Sequence, residues 1–126
     1  MSKEYVQVKS RTSKAKFIDH VRIITSSHVS MLFFYGQGRE WIRDYEYVNI
    51  LIPKTEPRDH FVLQFVNTPD PGSYKIVGRS GSSLFIGFRK AKRILGIVDG
   101  RYRCEYDPEK KQCIVFIDKK LDMEVY

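Results

Sequence analysis

Six cations, Lys75, Arg79, Arg89, Lys90, Lys92 and Arg93, fall between Tyr74 and Leu95 with no acidic residue among them. Uncompensated guanidinium and ammonium groups at this density suit the electrostatic and hydrogen-bonded capture of phosphate. At 100° per residue, Phe88, Ala91, Ile94 and Leu95 share one arc, Arg89, Lys90 and Arg93 the opposite one, and Lys92 lies at the margin. The pattern predicts a short helix over Phe88 to Leu95, packed on one side and cationic on the other, ended by Gly96 as a left-handed cap. Cations in the last turn also suit the helix dipole, so the helix alone is ordinary solvated surface; Lys75 and Arg79 on the preceding strand and turn make it a phosphate-contacting face.

The turn GRSGSS places Ser80 beside Arg79. It lacks the Gly-Lys-Ser/Thr ending of a P-loop and reads as a hairpin turn that projects Arg79 toward a ligand. In the first half Arg22, Ser26, Ser27 and His28 occupy the equivalent place and form a weaker basic lobe. Trp41, between Arg39 and Arg43, reads as a core anchor in preference to a base-stacking side chain. At the N-terminus Lys9, Arg11, Lys14 and Lys16 form a basic arm able to add phosphate contacts, with an edge strand at Tyr5 to Val8 as the other reading.

Catalysis finds little to work with. His20, His28 and His60 are scattered, without HxxxH or CxxC pairs, so neither a metal site nor a cofactor site is expected. Asp70, Asp99, Asp107 and Glu109 read as turn formers, and Ser80, Ser82 and Ser83 lack an assignable base. No catalytic residue is named and no enzyme or small-molecule substrate is expected. Cys104 and Cys113, on opposite strands of a terminal hairpin, read as reduced, half-buried thiols. They point to a reducing, cytoplasmic setting. The phenylalanines at 33, 34, 61, 65, 85 and 116 read as core, with no aromatic platform.

What must position the cations is a small β-rich domain. The 126 residues are 42% apolar and 29% charged, enough for one core without disulfide staples. No apolar run is long enough to span a membrane, and the first residues lack a secretory h-region. Net charge is +7, and the surplus lies before Ile94, where 16 basic residues face 8 acidic ones. Strand patterns at HVRIITS, HVSMLFFY, YVNILI and FVLQFV surround a helical REWIRDY; after the linker NTPDPG they recur as YKIVGR, SLFIGF, RKAKRIL, YRCEYD and QCIVFI. Ser30 to Phe33 precede Ser83 to Ile86 by 53 residues, and FVLQFV precedes QCIVFI by 51. Each unit is too small to bury its own apolar faces, so two are expected to interleave around one core. The organisation is an arm over 1–20, a single domain over 21–118 with repeats 21–66 and 74–118 joined by 67–73, and a tail over 119–126.

The second repeat resembles the AbrB, SpoVT and MazE group of transcription factors. The likeness is carried by Arg79, Ser80 and Gly81 in the turn, Ser83 to Phe88 in the next strand, Leu95-Gly96-Ile97, and Asp99-Gly100. It implies a mostly β fold with short helices, a swapped-hairpin barrel built here by two halves of one chain as a pseudo-dimer. It further implies a DNA-binding transcriptional regulator docking on double-stranded DNA through Lys75, Arg79, Ser80, Arg89, Lys90 and Arg93, with Arg22, Lys14 and Lys16 contributing. Self-association stays open. The alternative is a protein-interaction module or virus-encoded accessory factor that keeps the fold without nucleic-acid binding.

Overall fold

The structure, a computed structural model, describes residues 4–8 and 18–121. Eight antiparallel strands form one sheet: β1 (His20–Ser26), β2 (Val29–Tyr35), β3 (Tyr47–Leu51), β4 (His60–Val66), β5 (Tyr74–Lys75), β6 (Phe85–Gly87), β7 (Gly100–Asp107) and β8 (Gln112–Leu121). A 3-10 helix, Gln37–Asp44, links β2 to β3, and helix α1, Arg89–Leu95, links β6 to β7. Strand order is β5-β3-β4-β8-β7-β1-β2-β6. The two ends meet in one bridge, Val77 with Phe85, closed by N–H···O bonds of 2.9 and 3.0 Å, so the sheet is a nearly closed barrel.

Strict alternation makes the barrel. In β2, Ser30, Leu32 and Phe34 point inward while Met31, Phe33 and Tyr35 face out, and β4 buries Phe61, Leu63 and Phe65 in the same rhythm. Opposite walls add Val21, Ile23, Val48, Ile86, Cys113 and Val115. The barrel ends are plugged by Ile42 of the 3-10 helix, with Trp41 edge-on to Phe65, and by Phe88 and Ala91 of α1. Hairpin β1–β2 turns through Ser27 and His28, both at positive φ (48° and 68°), the backbone of a two-residue primed turn that matches strand twist.

Several expectations need correction. Phe33, Phe85 and Phe116 are not core: they occupy outward positions and are half-buried. Strands of one repeat are shorter than their sequence runs, since YKIVGR yields two strand residues and the bridge at Val77, and the tail begins later because β8 runs to Leu121. Residues Tyr5 to Val8 form no strand and are exposed. The sequence spacings of 53 and 51 do not preserve burial. They match buried Leu32 with half-exposed Phe85, and buried Leu63 with half-exposed Ile114, and a one-residue slip exchanges the two faces of a strand. Cys104 and Cys113 are fully buried free thiols.

Candidate functional site

Helix α1 is short because its sequence allows little more: Phe88 opens it without a side-chain cap, and Gly96 closes it in the left-handed region (φ 65°), its N–H bonding to the carbonyls of Lys92 and Arg93. A 2.9 Å bond from Phe88 N–H to the Ser30 carbonyl pins its start to β2. Phe88 and Ala91 pack inward as the periodicity requires, but Ile94 is 48% exposed. The four cations of the helix then divide. Lys92 donates at 2.7 Å to Asp99 and at 2.8 Å to the Thr25 hydroxyl, and that lysine holds the Asp99 carboxyl below its usual range. Asp99 also accepts from the Thr25 N–H and hydroxyl, at 3.0 and 2.9 Å, so it ties the end of β1 to the turn before β7. Arg89, Lys90 and Arg93 have no hydrogen bond or ion pair among the described residues and are exposed.

Arg79 has a different occupation. Its Nε donates at 3.1 Å to the Arg43 carbonyl, and one of its Nη atoms lies 3.7 Å from the Glu46 carboxylate. Arg43 in turn donates through Nη1 to the carbonyls of Gly78 (3.3 Å), Arg79 (2.8 Å) and Gly81 (2.6 Å). Gly78 sits at φ 79°, where a Cβ would strike the Ser83 carbonyl, so only glycine fits there. Projection of Arg79 toward a ligand is thereby corrected: its guanidinium braces the turn against the 3-10 helix. Ser80 is exposed at the turn's tip, and Lys75 is exposed on β5 with no partner among the described residues. Arg22 lies on the outer wall, its cross-strand neighbours Phe33 and Arg101, far from the helix cations in sequence but on the same run of strands. Lys14 and Lys16, with Lys9 and Arg11, lie outside the described residues.

Beside the helix the three unpaired cations border an open cleft of about 480 Å³, lined by His28, Val29, Ser30, Tyr74, Gly87, Phe88, Arg89, Lys90 and Arg93. Five of these, Val29, Ser30, Tyr74, Gly87 and Phe88, carry no signal as site residues in the sequence; the strand pairing brings them there. On the adjoining outer wall Phe33 and Phe85 pair face-on-tilted, with centroids 4.9 Å apart, and Arg22 stands next to Phe33 across the ladder.

The remaining candidates are structural. Trp41 packs edge-on against Phe65 and Tyr45, and its buried Nε1 has no partner. Arg39 donates at 2.6 Å to the Phe34 carbonyl. His20 is buried, its Nδ1 donating to the Ile18 carbonyl at 2.7 Å and its Nε2 accepting from Arg101 at 2.7 Å, while its ring stacks on Tyr35. Burial, chiefly, lowers its pKa. Burial raises the Cys113 thiol well above the usual range, helped by a hydrogen bond with Cys104. Among the described residues no group of His, Cys, Asp and Glu is arranged to hold a metal ion, and no helix is long and apolar enough to cross a membrane. Compared with known proteins, the chain matches no family model, no curated protein and no solved structure.

Proposed function

We propose that the protein binds nucleic acid as a transcriptional regulator, docking on duplex DNA through the exposed face of α1 by phosphate contacts. One observation carries the reading: Arg89, Lys90 and Arg93 project from two turns of helix with no carboxylate to neutralise them, on a chain of net charge +7. Three like charges held together repel one another, and a phosphate backbone is the partner that relieves them. Lys75 and Arg22 extend the positive surface; Arg79 does not act as the central contact. Fluorescence anisotropy of a labelled 20-bp duplex across a salt series tests this. Phosphate docking predicts a linear fall of log affinity with log salt, by about 0.9 per contacted phosphate, and a flat response would favour a protein-interaction module instead.

We further infer that the chain is an internal pseudo-dimer of the swapped-hairpin type, as the likeness to the AbrB group implies. Strand order supports this. Exchanging β1 with β5, β2 with β6, β3 with β7 and β4 with β8 returns the same cyclic order once the β5–β6 seam is closed. Register supports it as well. Offsets of 53 (Ile23 to Ile76), 54 (Leu32 to Ile86), 54 (Val48 to Tyr102) and 52 (Leu63 to Val115) bring buried residues onto buried ones. Applied to Val21 opposite Tyr102, they require Val48 opposite Tyr74, which is the pairing found. Applied to Ile24 opposite Met31, they require Val77 opposite Phe85, which is the bridge at the seam.

A further inference from the structure

The cleft between α1 and the β1–β2 turn has a composition that phosphate docking does not explain. No carboxylate lines it, three unpaired cations stand at one side, and its accessible apolar lining is a Val29 that is 54% exposed and the half-buried Tyr74. A site that met only a duplex backbone would have no use for that apolar surface, because the bases of a duplex are stacked and paired away from it. Ligand clefts of about 300–1,000 Å³ with an apolar floor and a few convergent charges are the common form of small-molecule sites, and this one measures about 480 Å³.

We propose that the cleft takes an unstacked nucleotide of a single strand, its phosphate on Arg89, Lys90 and Arg93 and its base against Val29 and Tyr74. The inference rests on the nucleic-acid reading for its cations and adds the base. Bases stack on aromatic and apolar side chains with little regard to sequence, and guanidinium groups hold the phosphate in two-pronged fashion. Two features keep the site open. The bond from Phe88 N–H to the Ser30 carbonyl fixes the helix against β2, and Gly87 contributes no side chain: a Cβ there would meet nothing within 4 Å. Gly87 is therefore the position at which the cleft can be filled without disturbing its charges.

Anisotropy with a 5′-phosphorylated oligothymidine of eight nucleotides, and separately with a 20-bp duplex, tests the proposal on the full chain. The wild-type protein is expected to bind the single strand, and Gly87→Ile to weaken that binding tenfold or more while duplex affinity changes less than twofold. Val29→Ser, an exposed change that leaves the core untouched, is expected to weaken single-strand binding severalfold and keeps the test valid should Gly87→Ile fail to fold. Thymidine monophosphate is expected to compete for the single strand at concentrations where inorganic phosphate does not; equal competition by the two would remove the base from the site. Unchanged single-strand affinity in both variants overturns the nucleotide site and leaves duplex docking standing. Absence of binding to either nucleic acid at low salt overturns both.

Discussion

Arg43 and Arg79 exchange hydrogen bonds through their backbones: Arg43 Nη1 donates to the Arg79 carbonyl at 2.8 Å, and Arg79 Nε donates to the Arg43 carbonyl at 3.1 Å. The exchange joins the 3-10 helix of the first half to the turn of the second. The Arg79 guanidinium, which the sequence directs toward a ligand, is used by the fold together with that of Arg43. Replacing Arg43 by Ala strips the Arg79 and Gly81 carbonyls of their donor, while that of Gly78 keeps the Gly81 N–H, and is expected to lower unfolding stability by about 1–2 kcal/mol, the worth of charge-assisted bonds that water partly replaces. Urea denaturation of Arg43→Ala measures it, and an unchanged midpoint would show the turn to be self-supporting.

Surface and scaffold cations separate in a second experiment. The triple change Arg89→Ala, Lys90→Ala and Arg93→Ala removes charge from exposed positions, so stability should hold within about 0.5 kcal/mol. Duplex affinity should fall, and the log–log salt slope should lose about 3, from roughly 0.9 per phosphate. Arg79→Ala is expected to do the reverse, costing stability more than affinity. A triple variant that binds DNA as the wild type does would remove the helix face from the interface.

Acid should find His20 first. Its folded pKa lies below the ordinary imidazole value near 6.5, because burial disfavours the charged ring and the Arg101 guanidinium repels it, against the opposing pull of the hydrogen bond to the Ile18 carbonyl. The unfolded chain therefore binds the proton more readily. The contribution of His20 is complete above pH about 6.5 and is lost as pH falls below it through the folded pKa. Asp99 and Glu40, whose carboxyls are held below their usual range by Lys92 and Arg43, lose their contribution only in the more acidic window of carboxylates. Urea midpoints at pH 7.5 and 5.5 should differ in the wild type and converge in His20→Gln. A wild type equally stable at both values would contradict the neutral, buried ring.

Both thiols should be silent in the native protein. Cys104 and Cys113 are buried, and burial pushes the Cys113 thiol upward, so little thiolate exists and no reagent reaches it. Labelling with a chromogenic disulfide is expected to release about two equivalents in denaturant and almost none in buffer within minutes. Rapid labelling in buffer would mean that the β7–β8 hairpin opens locally.

Runs of β-branched and aromatic residues made most of the strands legible in the amino-acid chain: HVSMLFFY and FVLQFV announce β2 and β4, and Phe88, Ala91 and Gly96 announce α1 and its stop. What escaped was long-range and geometric. Nothing local in Arg79 or Lys92 distinguishes a brace from a free cation; that depends on Arg43, 36 residues away, and on Asp99 beyond the helix. Nor does a run such as SLFIGF say which of Phe85 and Ile86 faces inward, since both are apolar, and parity is fixed only by pairing with Met31, Leu32 and Phe33. The cleft was invisible for the same reason: Val29, Tyr74 and Gly87 meet only when β5 and β6 are drawn together.

That junction of β5 and β6 is the least reinforced place on the barrel wall, two strand residues beside three, joined by one bridge. A wall held so lightly there opens more often than elsewhere, and its amides are expected to exchange with solvent ahead of the β4–β8 ladder. The cleft is lined by Tyr74 from one side of the junction and by Gly87 and the start of α1 from the other. Any molecule seated in it would act as a rivet across the break, so occupancy is expected to slow exchange at Val77 and Phe85 and to raise the melting temperature with ligand concentration.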